Sequence, residues 1–275
     1  MPSRRRFIQT NILGFALSLE GRDAVAARLP SAGATLPASD EDKRDYWNDF
    51  PRYITAKMNE ARGRRHAELR AMRSVADVKA RIKKIRSTVW RLIGGPFEKT
   101  PLKPQIVGKI DRGAYRIEMV IFESQPGIFV TTNLYLPSQR QPPHPGIILP
   151  LGHAENGKAH RSYQYVSQTL ARLGYVVLAF DPFGQGERLQ YLDPRTGKGF
   201  YGPTGEHDEA GRPMLLFGSQ FEQYLAWDGI RAVDYLLSRP EVDPERIGCT
   251  GQSGGGTMTM YAAGLDPRIK VAVVS

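Results

Sequence analysis

The sequence predicts an α/β protein: a mostly parallel sheet with helices on both faces, entered through an antiparallel meander and preceded by a helical N-terminal extension. Three observations predict it. From Gly146 onward, short continuous apolar runs alternate with helical patterns, as in a buried sheet with crossover helices. Between 105 and 136, three runs instead alternate apolar and polar residues, the mark of half-buried strands. From 40 to about 92, Gly and Pro are nearly absent and apolar residues recur at three- and four-residue steps.

The first residues read as an address. "SRRRFIQT" (Ser3 to Thr10) resembles the twin-arginine export motif, and an apolar stretch, Asn11 to Leu19, follows. "AVAA" and "SAGA" offer small-residue cleavage sites. Residues 1–39 are therefore read as signal and linker, and the protein as exported to the periplasm or beyond; without export it would be cytoplasmic. No other stretch has the unbroken apolar length, about 18 residues, of a membrane span.

Residues 40–103 form the helical extension. Ala71, Val75, Val78, Ile82 and Ile85 make one apolar stripe, expected to pack on the main domain. The net charge of +10 resides here. Residues 1–103 hold 22 Lys and Arg against 11 Asp and Glu, while residues 104–275 hold 16 against 17. No nucleic-acid motif accompanies the charge, so it is read as a solvated helical face plus the export signal, without a nucleic-acid partner. The single cysteine, Cys249, excludes an intramolecular disulfide and a zinc site built on several thiolates. It lies in an apolar run and reads as a buried strand residue.

The main domain spans 104–275. "GGPFEKTPLKP" ends the helices, and strands are expected near Gln105–Ile110, Tyr115–Glu123 and Ile128–Leu136. Buried strands follow in "GIILPLG" (146–152), "YVVLAFD" (175–181) and "RIGCTG", with helices near Ser162–Leu173 and Gln220–Ser238. Arg188–Ser219 reads as a long loop.

"GCTGQSGGGTM" (Gly248 to Met258) poses the functional question. A Walker-type phosphate loop needs a Lys after its glycines, and none is present. A dinucleotide fingerprint needs Gly where Ser253 stands. The pattern that fits is G-x-S-x-G, from Gly251 to Gly255. Alone it is common. Its setting, an apolar strand before and a helix after, places Ser253 on a sharp turn with an exposed hydroxyl. The helix N-terminus behind it presents backbone N–H groups to a developing oxyanion. Gly254 N–H is one expected donor. The second is expected from "LGHAENGK" (151–158), with Ala154 N–H as the candidate. His153, in the same loop, and His207 are candidates for contact with substrate.

Here the chain resembles the α/β-hydrolase superfamily, and more narrowly the acetyl xylan esterase-like and dienelactone hydrolase-like enzymes. The matching stretches are "PLGHAENGK", "AFDPFGQGER", "EH" at 206–207, "WDGIRAVDYLLSRPEVDPERIGCTGQSGGG" and "LDPRIKVAVVS". The resemblance implies a serine esterase acting on acyl, above all acetyl, esters of carbohydrates, with no cofactor and no metal. It also implies an Asp and a His later in the chain than Ser253. No His follows Ser253, and Asp266 sits in a turn before the last strand. The expectation is therefore a fragment, with further strands and both partners beyond Ser275. A peptidase or lactone hydrolase on the same fold is the alternative. A non-catalytic binding protein is the reading if the chain truly ends at Ser275. The residues do not specify the oligomeric state.

Overall fold

The computed structural model describes residues 46–275. The expected export signal and linker lie outside the described residues. The chain divides into two compact units between Met72 and Arg73. Of the first, only helix α1 (Tyr46–Ala71) is described, with Asp49 in its first turn and Arg70 in its last, both suited to the helix dipole.

The second unit opens with α2 (Val75–Ile93). The expected single helical stretch is thus two helices. Ser74 and Asp77 form a reciprocal capping box that starts α2 anew: Asp77 N–H donates to Ser74 Oγ at 3.2 Å, and Ser74 N–H donates to Asp77 Oδ2 at 2.9 Å. Gly94, at φ 109°, ends it. The expected packing stripe is corrected as well. Val75 is 71% exposed, and Val78, Ile82 and Ile85 are also exposed. The end of the helix packs instead: Ile93 is buried, with Val89 and Trp90, against Trp227, Ile230 and Leu265. Aromatic rings, worth more than a β-branched stripe in area, decide which turns dock.

Seven strands form one sheet in the order β1-β2-β3-β5-β4-β6-β7. β1 (Gln105–Asp111), β2 (Tyr115–Gln125) and β3 (Ile128–Pro137) make the antiparallel meander. β3 joins β5 (Val176–Phe180) antiparallel. From there β5, β4 (His144–Pro150), β6 (Val242–Gly251) and β7 (Ile269–Val274) run parallel. Every residue of β5 is buried, as its unbroken apolar run requires of a strand covered on both faces.

Helices cover both faces. On one, α3 (Arg161–Arg172) lies over Tyr135, Leu149, Leu151 and Val177. On the other, α5 (Phe221–Leu237) and α6 (Gly254–Leu265) enclose Phe122, Leu134, Ile148, Leu178 and Phe180. This is the α/β-hydrolase arrangement. Among the described residues β7 pairs with β6 alone, and Val271, Val273 and Val274 are exposed. No helix among the described residues is long and apolar enough to cross a membrane.

One expected loop is a helix. Residues 203–214 form α4 (Pro203–Met214), with proline in its first turn. Its glycines, Gly205 and Gly211, and internal Pro213 give it poor intrinsic propensity. Tertiary contact compensates. Glu206 is buried and accepts from Gln190 N–H at 2.8 Å and Tyr191 N–H at 3.2 Å. The parallel strands β4, β5 and β6 all send their C-terminal ends to one edge, where α4 lies against the loops that follow them. That edge is where ligands bind in such sheets.

Candidate active site

β6 delivers the turn that carries Ser253. Ile247 and Cys249 bury their side chains on one face of it, in a period of two. Burial pushes the Cys249 thiol up to about 12, so it is not a nucleophile at neutral pH. Its Sγ lies 3.5 Å from Thr259 Oγ1.

Ser253 adopts φ 56° and ψ −122°, a conformation that L residues rarely hold. The neighbouring glycines do not share it: among Gly251 to Gly256 none has a positive φ. They are glycines because there is no room. A Cβ on Gly251 would stand 2.6 Å from the Gly255 carbonyl carbon and 2.7 Å from Pro150 O. A Cβ on Gly255 would stand 2.8 Å from the Leu151 carbonyl carbon. The turn is thus pressed against the end of β4, and backbone hydrogen bonds secure it. Gly255 N–H donates to Gln252 O at 2.9 Å, Thr257 N–H to Ser253 O at 3.0 Å, and Ser253 N–H to Ser275 O at 2.8 Å. The result is an exposed serine at the first turn of α6. Gly254 is the first residue of α6, so its N–H has no intrahelical acceptor.

The loop after β4 packs on this turn. The His153 ring lies over Gly254, where a Cβ would be 2.8 Å from its Cε1. The Ala154 N–H, expected as the second oxyanion donor, donates to Gln185 Oε1 at 2.6 Å. Gln185 is buried and belongs to the "FGQGER" segment. His207, on α4, completes the group. Its Nδ1 lies 3.4 Å from His153 Nε2, and its Nε2 lies 2.8 Å from Phe183 O. Burial is the largest influence on His207 and holds its pKa below the ordinary histidine range.

Gly254, His153 and His207 line one cavity of about 620 Å³, together with Asp208, Arg212 and Glu222. Its volume suits a small ligand or one sugar residue. The structure therefore gathers Ser253, Gly254, His153 and His207 at one place, and gives Ala154 N–H an internal partner. Among the described residues the Ser253 hydroxyl has no hydrogen-bond partner, and no group of three His, Cys, Asp or Glu is placed to hold a metal.

Two buried ion pairs frame the site. Arg188 Nη1 donates to Asp228 Oδ2 at 2.7 Å and to Asp181 O at 2.9 Å, tying the segment after β5 to α5. Asp181 is fully buried. It accepts from Thr131 Oγ1 at 2.8 Å, from Lys158 N–H at 2.7 Å and from Lys158 Nζ. Gly157 and Gly186, both at positive φ, make room for that carboxylate. Asp181 and Asp228 thus act as turn and helix anchors. Asp266 likewise holds Arg268, whose N–H reaches Asp266 Oδ1 at 3.0 Å.

An acetyl xylan esterase family model matches residues 103–275. The chain belongs to the acetyl xylan esterase family. YtaP of Bacillus subtilis (strain 168), provisionally named a hydrolase, is 30% identical over 203 residues, covering 68% of this chain and 62% of that protein. A solved structure from Bacteroides fragilis NCTC 9343, provisionally described as an acetyl xylan esterase, superposes with a TM-score of 0.60 at 20% identity. It covers 77% of this chain and 59% of the other, and supports the fold. The methylesterase BT1017 gives a TM-score of 0.59 at 28% identity, over 76% of this chain and 44% of its own. The chain thus spans about three fifths of the length of YtaP and of the Bacteroides fragilis protein.

Proposed function

We propose that this acetyl xylan esterase family member is a serine esterase that removes acyl groups, acetyl above all, from carbohydrates, with Ser253 as its nucleophile. The observation that carries the reading is the conformation of Ser253. A non-glycine residue sits at φ 56° between a buried strand and a helix, exposed, while its glycine neighbours surrender their side chains to let the turn form. Such strain persists only where the surroundings enforce it, and it clusters at sites of chemistry.

The chemistry follows. Ser253 Oγ attacks the ester carbonyl carbon, its proton passing to a general base, and the carbonyl oxygen becomes an oxyanion. Gly254 N–H, at the positive end of α6, is a donor for that oxyanion. A second donor is required. Ala154 N–H serves only if Gln185 yields it. The His153 N–H, one residue earlier, makes no hydrogen bond among the described residues and is the more available group. Collapse of the intermediate expels the sugar alcohol, and water then releases the acid. Asp208, Arg212 and Glu222 supply hydrogen-bonding partners for the hydroxyls of the alcohol.

The test is Ser253→Ala in the full protein. Turnover of p-nitrophenyl acetate is expected to fall at least about a thousandfold with the fold retained. Labelling by a fluorophosphonate at Ser253 is expected in the parent alone. Near-normal turnover in the variant would overturn the assignment. We also propose export through the arginine pair at Arg4 and Arg5. Replacing both with lysine is expected to trap the protein in the cytoplasm, as read by cell fractionation.

A further inference from the structure

The two imidazoles at the cavity wall define a proton arrangement. A carbonyl oxygen only accepts, so the 2.8 Å contact with Phe183 O makes His207 Nε2 a donor. His207 is half-buried, with its ring centroid 4.6 Å from that of Phe221. Burial favours its neutral form. With its one proton on Nε2, its Nδ1 is an acceptor. His153 Nε2, 3.4 Å away, is then the donor of the pair. In neutral His153 this leaves Nδ1 with a lone pair. Nδ1 has no hydrogen-bond partner among the described residues. The ring carrying it lies against Gly254, at 3.2 Å from Nδ1 to the position a Cβ would take. An open acceptor therefore belongs to a ring that lies against Gly254, the residue after Ser253, and lines the cavity.

We infer that His153 Nδ1 accepts a hydrogen bond from a substrate hydroxyl adjacent to the ester, which makes His153 a specificity residue for polyhydroxylated alcohols and His207 its positioning residue. The inference rests on the esterase reading of Ser253. It narrows the substrate class to esters with a free vicinal hydroxyl, as on a partly acylated sugar. The cavity lining is mixed: Asp208, Arg212, Gln220 and Glu222 offer hydrogen bonds beside Leu151, Phe221 and Met258, as a sugar with polar edges and apolar ring faces would meet. His207 selects which nitrogen of His153 is left open, as a partner on one imidazole nitrogen does for the other.

The experiment uses the full protein carrying Ser253→Ala, labelled with nitrogen-15 in its five histidines. At about pH 8, His153 is expected to show a protonated Nε2 and a bare Nδ1. His207→Phe should scramble that tautomer. His207→Asn, which can return an acceptor oxygen to the position of Nδ1, should restore it. Methyl 2-O-acetyl-β-xylopyranoside should move the His153 Nδ1 resonance toward a hydrogen-bonded value, and its 3-deoxy counterpart should not. In the active protein, preference for the xyloside over the 3-deoxy compound, as a ratio of kcat/KM, should fall about tenfold in His153→Phe, the worth of one hydrogen bond. A protonated Nδ1, or equal response to the two xylosides, would overturn the inference while leaving the nucleophile assignment intact. Failure of the parent to turn over p-nitrophenyl acetate, with the tautomer and the xyloside shift as expected, would instead overturn the esterase reading. The hydroxyl site would then stand.

Discussion

The turn around Ser253 and the helix that carries His207 face the same cavity, yet they are held by opposite means. The turn is held by exclusion. Gly251 and Gly255 approach the backbone at Pro150 and Leu151 so closely that no side chain fits, and backbone hydrogen bonds, with Thr259 Oγ1 donating to Gly255 O at 2.8 Å, secure the turn. Helix α4 is held by inclusion. Glu206 reaches into the protein to collect two backbone N–H groups, and His207 reaches Phe183 O. The first device fixes the position of Ser253 and tolerates no added volume. The second fixes a wall of the cavity and tolerates a side chain that reproduces its acceptors or donors. The proposed esterase site, which would hold Ser253 rigidly while adapting to an alcohol, would gain from using both.

The largest effect should come from adding one carbon to the turn. Gly255→Ala puts a methyl group into the backbone of Leu151 and is expected to cost about 3 kcal/mol or more, or to prevent folding. Chemical denaturation, or soluble yield, reads it. A neutral result would mean that the turn is looser than its contacts indicate.

Next is the anchor of α4. Glu206→Ala leaves the N–H groups of Gln190 and Tyr191 without their acceptor and should cost about 2 kcal/mol. Glu206→Gln keeps one carbonyl oxygen and should cost less. Equal losses in the two variants would show that charge, not acceptor geometry, holds the helix.

Ser253→Gly sharpens the contrast from the other side. Glycine accepts φ 56° without penalty, so the variant should lose turnover yet gain about 1 kcal/mol, whereas Ser253→Ala should leave stability nearly unchanged. A melting temperature that rises for glycine alone separates strain from any contact of the hydroxyl.

The smallest effect is one of pH. The folded pKa of His207 is below its unfolded value near 6.5, so the unfolded chain binds more protons below that pH. The contribution is whole above about pH 6.5 and is lost as pH falls from there toward the folded value. Since the ring is partly exposed, it should stay below about 1 kcal/mol. His153, Asp208 and Glu206 bear on the same ring. His207→Asn should flatten the stability profile over that interval while leaving the region above it unchanged.

Much of this molecule is legible in one dimension. The unbroken run of β5, the alternation in β2 and β3, and the strand–glycine–serine–helix order at 247–265 each rest on neighbours in sequence. The glycines around Ser253 are visible in the sequence, but what they make room for is the end of β4, at Pro150 and Leu151. The buried setting of Cys249 follows from the same periodicity. Other features were not legible. Helix α4 contains two glycines and two prolines, and its stability comes from Glu206 meeting Gln190 and Tyr191, 16 and 15 residues away. The apolar stripe of α2 has the right period but gives way to Val89, Trp90 and Ile93, because the aromatic cleft formed by Phe97 and Trp227 lies at that end. Ala154 N–H was a sound candidate by its place after β4. What it meets is Gln185, a partner 31 residues on that no spacing rule identifies.

The sequence by itself determined the strands, the parallel sense of the sheet after Gly146 and the serine on its turn, because each depends on chain direction and periodicity. The tertiary structure alone decided which groups stand around that serine. The His153–His207 pair, the claim of Gln185 on Ala154, and the buried ties of Arg188 to Asp228 and Lys158 to Asp181 are long-range meetings. Their energy comes from desolvation and hydrogen bonding, which exist only once the sheet has brought its strand ends to one edge.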